Sequence, residues 1–151
     1  AKGLLREMAL VSTYRRPIGN LAATSVDANG ARRSLRDALG SGFTLVAFAS
    51  LSCAPSRGDL ASLEQVRRGL SSSNVAVLTI LEDAVPNAAA AREMAQLGYA
   101  GPLQFDDRAE ASRALRQHGT PQYFLVENGV VRADARRAAD LVSVVDALMP
   151  R

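Results

Sequence analysis

The sequence predicts an α/β domain in which a mixed central β-sheet is flanked by helices on both faces. Three observations carry this: two short apolar runs at residues 43–49 and 75–81, helical spacing of apolar residues after each, and a hairpin signal followed by an amphipathic stretch near the C-terminal end. An apolar run without polar alternation is what a strand covered on both faces requires. At 151 residues, with 48% hydrophobic and 22% charged residues, the chain can bury one genuine core but is short for two ordinary domains.

Taken in order, residues 4–11 read as a short helix or extended lead-in. Tyr14-Arg15-Arg16-Pro17-Ile18-Gly19 reads as linker, because Pro and Gly punctuate it. Residues 22–26, the Asn29-Gly30 turn and the stretch through Leu35 predict a small hairpin or a strand-turn-helix entry. The first buried strand, residues 43–49, leads directly to Cys53. After Pro55, apolar residues at Leu60, Leu63, Val66 and Leu70 recur at helical spacing until the run Ser71-Ser72-Ser73-Asn74. The second buried strand follows, then a helix over residues 88–97 stopped by Gly98 and a brief extended piece at residues 103–105. Asp106 or Asp107 is placed to cap a helix over residues 109–117. A strand at residues 123–126, the turn Glu127-Asn128-Gly129 and a strand at residues 130–133 form a hairpin, and Leu141, Val144, Val145 and Leu148 close the chain with an amphipathic helix.

The composition narrows the chemistry. The net charge is +3, but Arg and Lys are interspersed with Asp and Glu, aromatics are 5% and Trp is absent. That pattern describes solvated faces rather than the clustered cationic patch with stacking rings that binds nucleic acid. The single cysteine excludes an internal disulfide and offers no zinc or iron–sulfur spacing, so neither a metal nor another cofactor is expected. No apolar run is long enough to span a bilayer. The sequence opens at Ala1-Lys2-Gly3 without Met, which is compatible with a preceding signal or membrane tether.

Cys53 sits where a buried strand hands over to a helix, and Pro55 suits a first helical turn, where its missing N–H costs nothing. A thiol at a helix N-terminus faces unpaired backbone N–H groups and the positive end of the macrodipole, both of which favour thiolate. The alternative for a lone cysteine is an inert, buried one. The strand-to-helix junction and the hydroxyls of Ser50, Ser52 and Ser56 favour the reactive reading.

The strand and motif Leu45-Val46-Ala47-Phe48-Ala49-Ser50-Leu51-Ser52-Cys53-Ala54-Pro55-Ser56-Arg57, together with Gly119-Thr120-Pro121-Gln122-Tyr123-Phe124-Leu125-Val126-Glu127-Asn128-Gly129, resembles the thioredoxin superfamily. Within it, the pattern is most similar to the exported, often membrane-tethered TlpA-like and MauD-like thiol-disulfide oxidoreductases. The resemblance runs from about residue 27 to the C-terminus, with residues 21–151 as the thioredoxin-like domain and residues 1–20 as a lead-in or linker. It implies a cis bond before Pro121, packed beside Cys53, with the Thr120 backbone free to pair with an extended substrate. The site it implies comprises Cys53 and Ser56 as catalytic positions and Ala54, Pro55, Thr120 and Pro121 as substrate contacts. Its implied partners are a protein disulfide or dithiol and a redox protein. The implied location is extracytoplasmic, although low cysteine use is equally compatible with cytosol.

Three positions depart from the family pattern: Ser56 stands where the resolving cysteine belongs, Ser52 replaces an aromatic, and Ala47 occupies a position where many relatives carry a buried polar group. A hydroxyl at position 56 is one helical turn from Cys53 and able to hydrogen-bond its thiolate, but it cannot attack a mixed disulfide. A full dithiol cycle is therefore closed to this chain. Ser56 is either an engineered trap or a native residue of a monothiol protein. Three readings follow: a thiol-disulfide oxidoreductase acting through Cys53, a non-catalytic thioredoxin-fold binding module, and a peroxiredoxin-like peroxidase suggested by Ser50-Leu51-Ser52-Cys53. His118, Glu82 and Asp83 read as loop residues, and Arg57 as a surface cation or a thiolate partner.

Overall fold

The structure is a computed structural model and describes residues 11–83 and 85–148. Strand β4 (Phe43–Ala49) lies at the centre of the sheet, and from Leu45 to Phe48 it is fully buried. It runs parallel to β5 (Ala76–Leu81), with Ala49 level with Leu81, and antiparallel to β7 (Gln122–Glu127), with Phe48 level with Gln122. Beyond β5, β6 (Leu103–Phe105) is parallel and the hairpin β2 (Thr24–Val26) and β3 (Arg32–Ser34) completes that side. Beyond β7 come β8 (Val130–Ala135) and β1 (Val11–Pro17), giving the order β1-β8-β7-β4-β5-β6-β2-β3.

Successive strand residues point to opposite faces, so each buried strand feeds two cores. Leu45, Ala47, Ala49, Tyr123 and Leu125 face one core. It is closed by α2 (Ala54–Leu70), α3 (Ala88–Gln96) and α5 (Val142–Leu148). Val46, Phe48, Ile80, Phe124 and Val126 face the other, under α1 (Leu35–Leu39) and α4 (Glu110–Leu115). There Phe48 and Phe124 meet edge to face with centroids 5.8 Å apart. The mixed sheet with helices on both faces matches the architecture the sequence predicts.

Two local readings change. Tyr14, Arg15, Arg16 and Pro17 belong to an edge strand rather than a linker, and the Ile18 amide continues the pairing by donating to Gly129 O at 2.8 Å. An outer strand leaves one side to solvent, so it tolerates charged residues and a terminal proline and shows little apolar alternation. Residues 4–10 of the predicted lead-in lie outside the described residues. Second, α4 ends at Leu115 rather than Gln117, with Arg116 left-handed at φ 56°. The cap at its start is Asp106, whose carboxylate accepts the Ala111 and Ser112 amides at 3.0 and 2.9 Å, while Asp107 pairs with Arg32 at 2.6 Å. The β7–β8 turn places Asn128 and Gly129 at φ 48° and 77°, the geometry that Asn-Gly favours in a two-residue hairpin.

This topology brings distant parts of the chain to one edge of the sheet. β4 and β5 are parallel and end side by side, so residues 50–53 and 82–83 emerge together; β7 runs the other way and begins there, so residues 119–121 arrive at the same edge. Replacing Phe48 with Ala removes the ring from the core under that edge. It is expected to lower unfolding free energy by about 3–5 kcal/mol in urea titrations, whereas Arg33→Ala on the exposed edge strand should change it by less than about 0.5 kcal/mol.

Candidate functional site

Cys53 is the N-cap of α2, with extended backbone at φ −102°, ψ 116°, and Pro55 follows within the first turn. The Cys53 side chain makes no capping hydrogen bond to this helix end. The thiol is half-buried and donates a hydrogen bond to the Thr120 carbonyl at 3.3 Å across 67 residues of sequence. The Thr120-Pro121 bond is cis. Ala54 and Pro55 are exposed on one side of the thiol, and Thr120 and Pro121 are half-buried on the other. All six residues singled out from the sequence therefore meet in one place.

Ser56 has a different partner from the one expected. It is 1% exposed, and its hydroxyl accepts the Ser50 amide at 2.9 Å; among the described residues it makes no hydrogen bond with the Cys53 sulfur. The reason is the turn geometry: the chain folds back over the start of α2, bringing the buried Ser50 N–H within reach, and a buried amide without an acceptor costs about 1–3 kcal/mol.

The turn before Cys53 is held by Asp83, which by sequence alone reads as a loop acid. Asp83, just past β5, accepts the Ser50 hydroxyl at 2.7 Å, the Leu51 amide at 3.1 Å and the Ser52 amide at 2.9 Å, and also the Ser52 hydroxyl. Partial burial alone would push its carboxyl up. The Ser52 and Ser50 hydroxyls and the two amides outweigh that and bring it down to about 2. On the opposite side Arg57 donates to the Leu51 carbonyl at 2.9 Å and to Glu93 at 2.6 Å. Ser52 thus serves as a polar anchor for the turn. A signal for Asp83 existed: a residue two places beyond a strand parallel to β4 must lie beside the residues that follow β4.

The Ala47 position is fully buried and carries no polar group, but the neighbouring Tyr123 hydroxyl donates to Asp59 of α2, which also accepts the Ala138 amide at 3.2 Å. Burial, then the hydrogen bond and charge of Asp59, hold the Tyr123 phenol protonated far above its usual range. His118 is exposed, with its amide donating to Gln122 at 2.8 Å. Beside Cys53 lies an open groove of about 430 Å³ lined by Pro55, Gly58, Asp59, Pro121, Arg136 and Arg137, among others. Among the described residues, no group of three His, Cys, Asp or Glu is placed to hold a metal ion, and no helix is long and apolar enough to cross a membrane.

With this geometry in view, the neighbours among solved structures define the fold class as thioredoxin-like. No family model matches the chain, and no curated protein sequence does. The chain superposes on the thioredoxin domain of a thiol-disulfide oxidoreductase from Bacteroides vulgatus with TM-score 0.71 and 20% identity, covering 88% of this chain and 98% of that one. A secreted Mycobacterium tuberculosis disulfide oxidoreductase, homologous to E. coli DsbE, matches with TM-score 0.68 and 17% identity over 85% of this chain and 97% of that one. The bacterioferritin comigratory protein of Xanthomonas campestris, described with alkyl peroxide reduction activity, matches with TM-score 0.71 and 17% identity over 89% and 97%. The fold is the one that thiol-disulfide oxidoreductases use.

The Asp83 clamp has a pH signature. Its folded value of about 2 lies below the ordinary 3.8, so its contribution to stability is fully present above about pH 4 to 5 and is lost as pH falls through about 2. Urea unfolding of the parent and of Asp83→Asn between pH 2 and 7 should give a stability difference that is constant near neutrality and shrinks toward pH 2. A difference independent of pH would show that the carboxylate charge does not hold the turn.

Proposed function

We propose that this chain carries out thiol–disulfide exchange on protein substrates, with Cys53 as nucleophile. The observation that carries the reading is the thiol at a helix N-terminus, 3.3 Å from the carbonyl of Thr120, which together with Pro55 lines an open groove. Cys53 sits at the positive end of the α2 dipole, while the Thr120 and Pro121 segment and the exposed faces of Ala54 and Pro55 line the path of an extended substrate. The thiolate attacks one substrate sulfur, the Cys53–substrate bond forms as the substrate disulfide breaks, and the second substrate sulfur leaves as thiolate and takes a proton from solvent. Position 56 offers no sulfur, so release needs a thiol from another molecule. The chemistry calls for no metal or organic cofactor. An extracytoplasmic setting suits it, and one structural neighbour is described as secreted.

A specific observation favours a second reading, a binding module that keeps the fold without turnover: the buried Ser56 hydroxyl satisfies the Ser50 amide, as a native structural residue would. Against the peroxidase reading, the Arg57 guanidinium that follows the motif is engaged by the Leu51 carbonyl and Glu93.

Incubation with an oxidised model protein should yield a one-to-one adduct that dithiothreitol dissolves, and Cys53→Ala should abolish it. Ser56→Cys should confer turnover in a disulfide reductase assay. Ser56→Ala should still trap substrate while losing about 1–3 kcal/mol of stability, because the Ser50 amide loses its acceptor. No adduct from the parent and no turnover from Ser56→Cys would transfer the assignment to the binding module.

A further inference from the structure

The groove beside Cys53 contains two arginines and one aspartate, and a second aspartate lies just outside it, but these charges are not equally occupied. The Asp59 carboxylate accepts the Tyr123 hydroxyl and the Ala138 amide. Asp140 receives Arg137 through two hydrogen bonds of 3.0 Å. On the other side of the Cys53 turn, Asp83 is committed to residues 50–52. Arg136 is exposed and, among the described residues, has no carboxylate within 4.0 Å.

The fold determines where that cation sits. Arg136 follows β8 directly, and Ala135 is level with Tyr123 on β7, so Arg136 lies beside the residues leading into β7. Its Nη1 comes within 3.2 Å of where a Cβ on Gly119 would be, so the guanidinium rests against the backbone one residue before Thr120. Thr120 in turn holds the Cys53 thiol at 3.3 Å. A strand advances about 3.3 Å per residue, so a substrate segment lying along this wall brings a residue near its half-cystine level with Arg136. A guanidinium in such a groove recognises carboxylate through a two-pronged hydrogen bond.

We propose that the groove binds an extended, acidic segment of a protein disulfide, with Arg136 pairing an Asp or Glu carboxylate close to the half-cystine that Cys53 attacks. This substrate class rests on the exchange chemistry proposed above. Arg136 is then a specificity-determining residue, acting on the choice of substrate rather than on the sulfur chemistry.

Peptides of one sequence, each with its cysteine joined to the uncharged leaving group 2-thiopyridine, test this when the cysteine is flanked by two Asp, two Ser or two Lys. The release rate of pyridinethione reports attack by Cys53. The parent protein should prefer the Asp peptide over the Lys peptide by about fivefold or more at low salt, and the preference should shrink at high salt. Arg136→Ser should reduce the ratio to near one, Arg136→Lys should restore part of it, and Arg136→Glu should invert it, with the Ser peptide changing by less than about twofold throughout. A ratio near one in the parent, or a ratio that Arg136→Ser leaves intact, overturns the proposal. Glutathione activated with the same leaving group, if it depends on Arg136 as strongly as the Asp peptide does, overturns the assignment to a peptide segment. Equal reactivity of all peptides defeats the charge selection and leaves exchange standing, whereas no release from any peptide removes both.

Discussion

The pairing of β4 between a parallel neighbour and an antiparallel one is the constraint on which the rest depends. β5 beside it fixes where the chain leaves the sheet, and β7 on its other side fixes where the chain returns. Cys53, Asp83 and Thr120 are separated by 30 or more residues, yet all emerge at that edge, where backbone groups beyond the last ladder bond need other partners. The Ser50 amide finds Ser56, the Leu51 and Ser52 amides find Asp83, and the Leu51 carbonyl finds Arg57. A register slip of one residue would invert the faces of β4, exchanging Phe48 and Val46 with Ala47 and Leu45, and so lose both cores at once.

Within that frame, the turn before Cys53 achieves its shape by polar means. An aromatic side chain would hold such a turn by packing; here two serine hydroxyls and two amides converge on one carboxylate. Charge-assisted hydrogen bonds of this kind are short and directional, so they position the backbone ahead of α2 without covering the thiol. The exposed surface around Cys53 consequently remains open on the side of Pro55, Gly58 and Arg136. Ser56 contributes to the same turn, which gives the hydroxyl a structural task separate from its inability to resolve a mixed disulfide.

Much of this architecture was legible because its signals are local. The buried strands announce themselves as short apolar runs, α2 by the spacing of Leu60, Leu63, Val66 and Leu70, and the hairpin by Asn128-Gly129. The first strand was not legible, because half-buried Tyr14 and Arg16 alternate with exposed Arg15 without an alternation of apolar and polar residues, and Pro17 imitates a linker. Asp106 and Asp107 were interchangeable as candidate caps until backbone geometry aimed one at the α4 amides and the other at Arg32.

The sheet-and-helix order, the junction that holds Cys53 and the lack of a second cysteine can all be read from the sequence, since each is a property of neighbouring residues or of composition. The three-dimensional arrangement was needed to show that Ser56 turns to the Ser50 amide instead of the thiol, that Asp83 clamps the turn, and that Arg136 lies against Gly119 with no carboxylate partner among the described residues. Each of those facts is a contact between segments that strand order and direction bring to one edge, and sequence spacing does not encode which free donor will find which acceptor there.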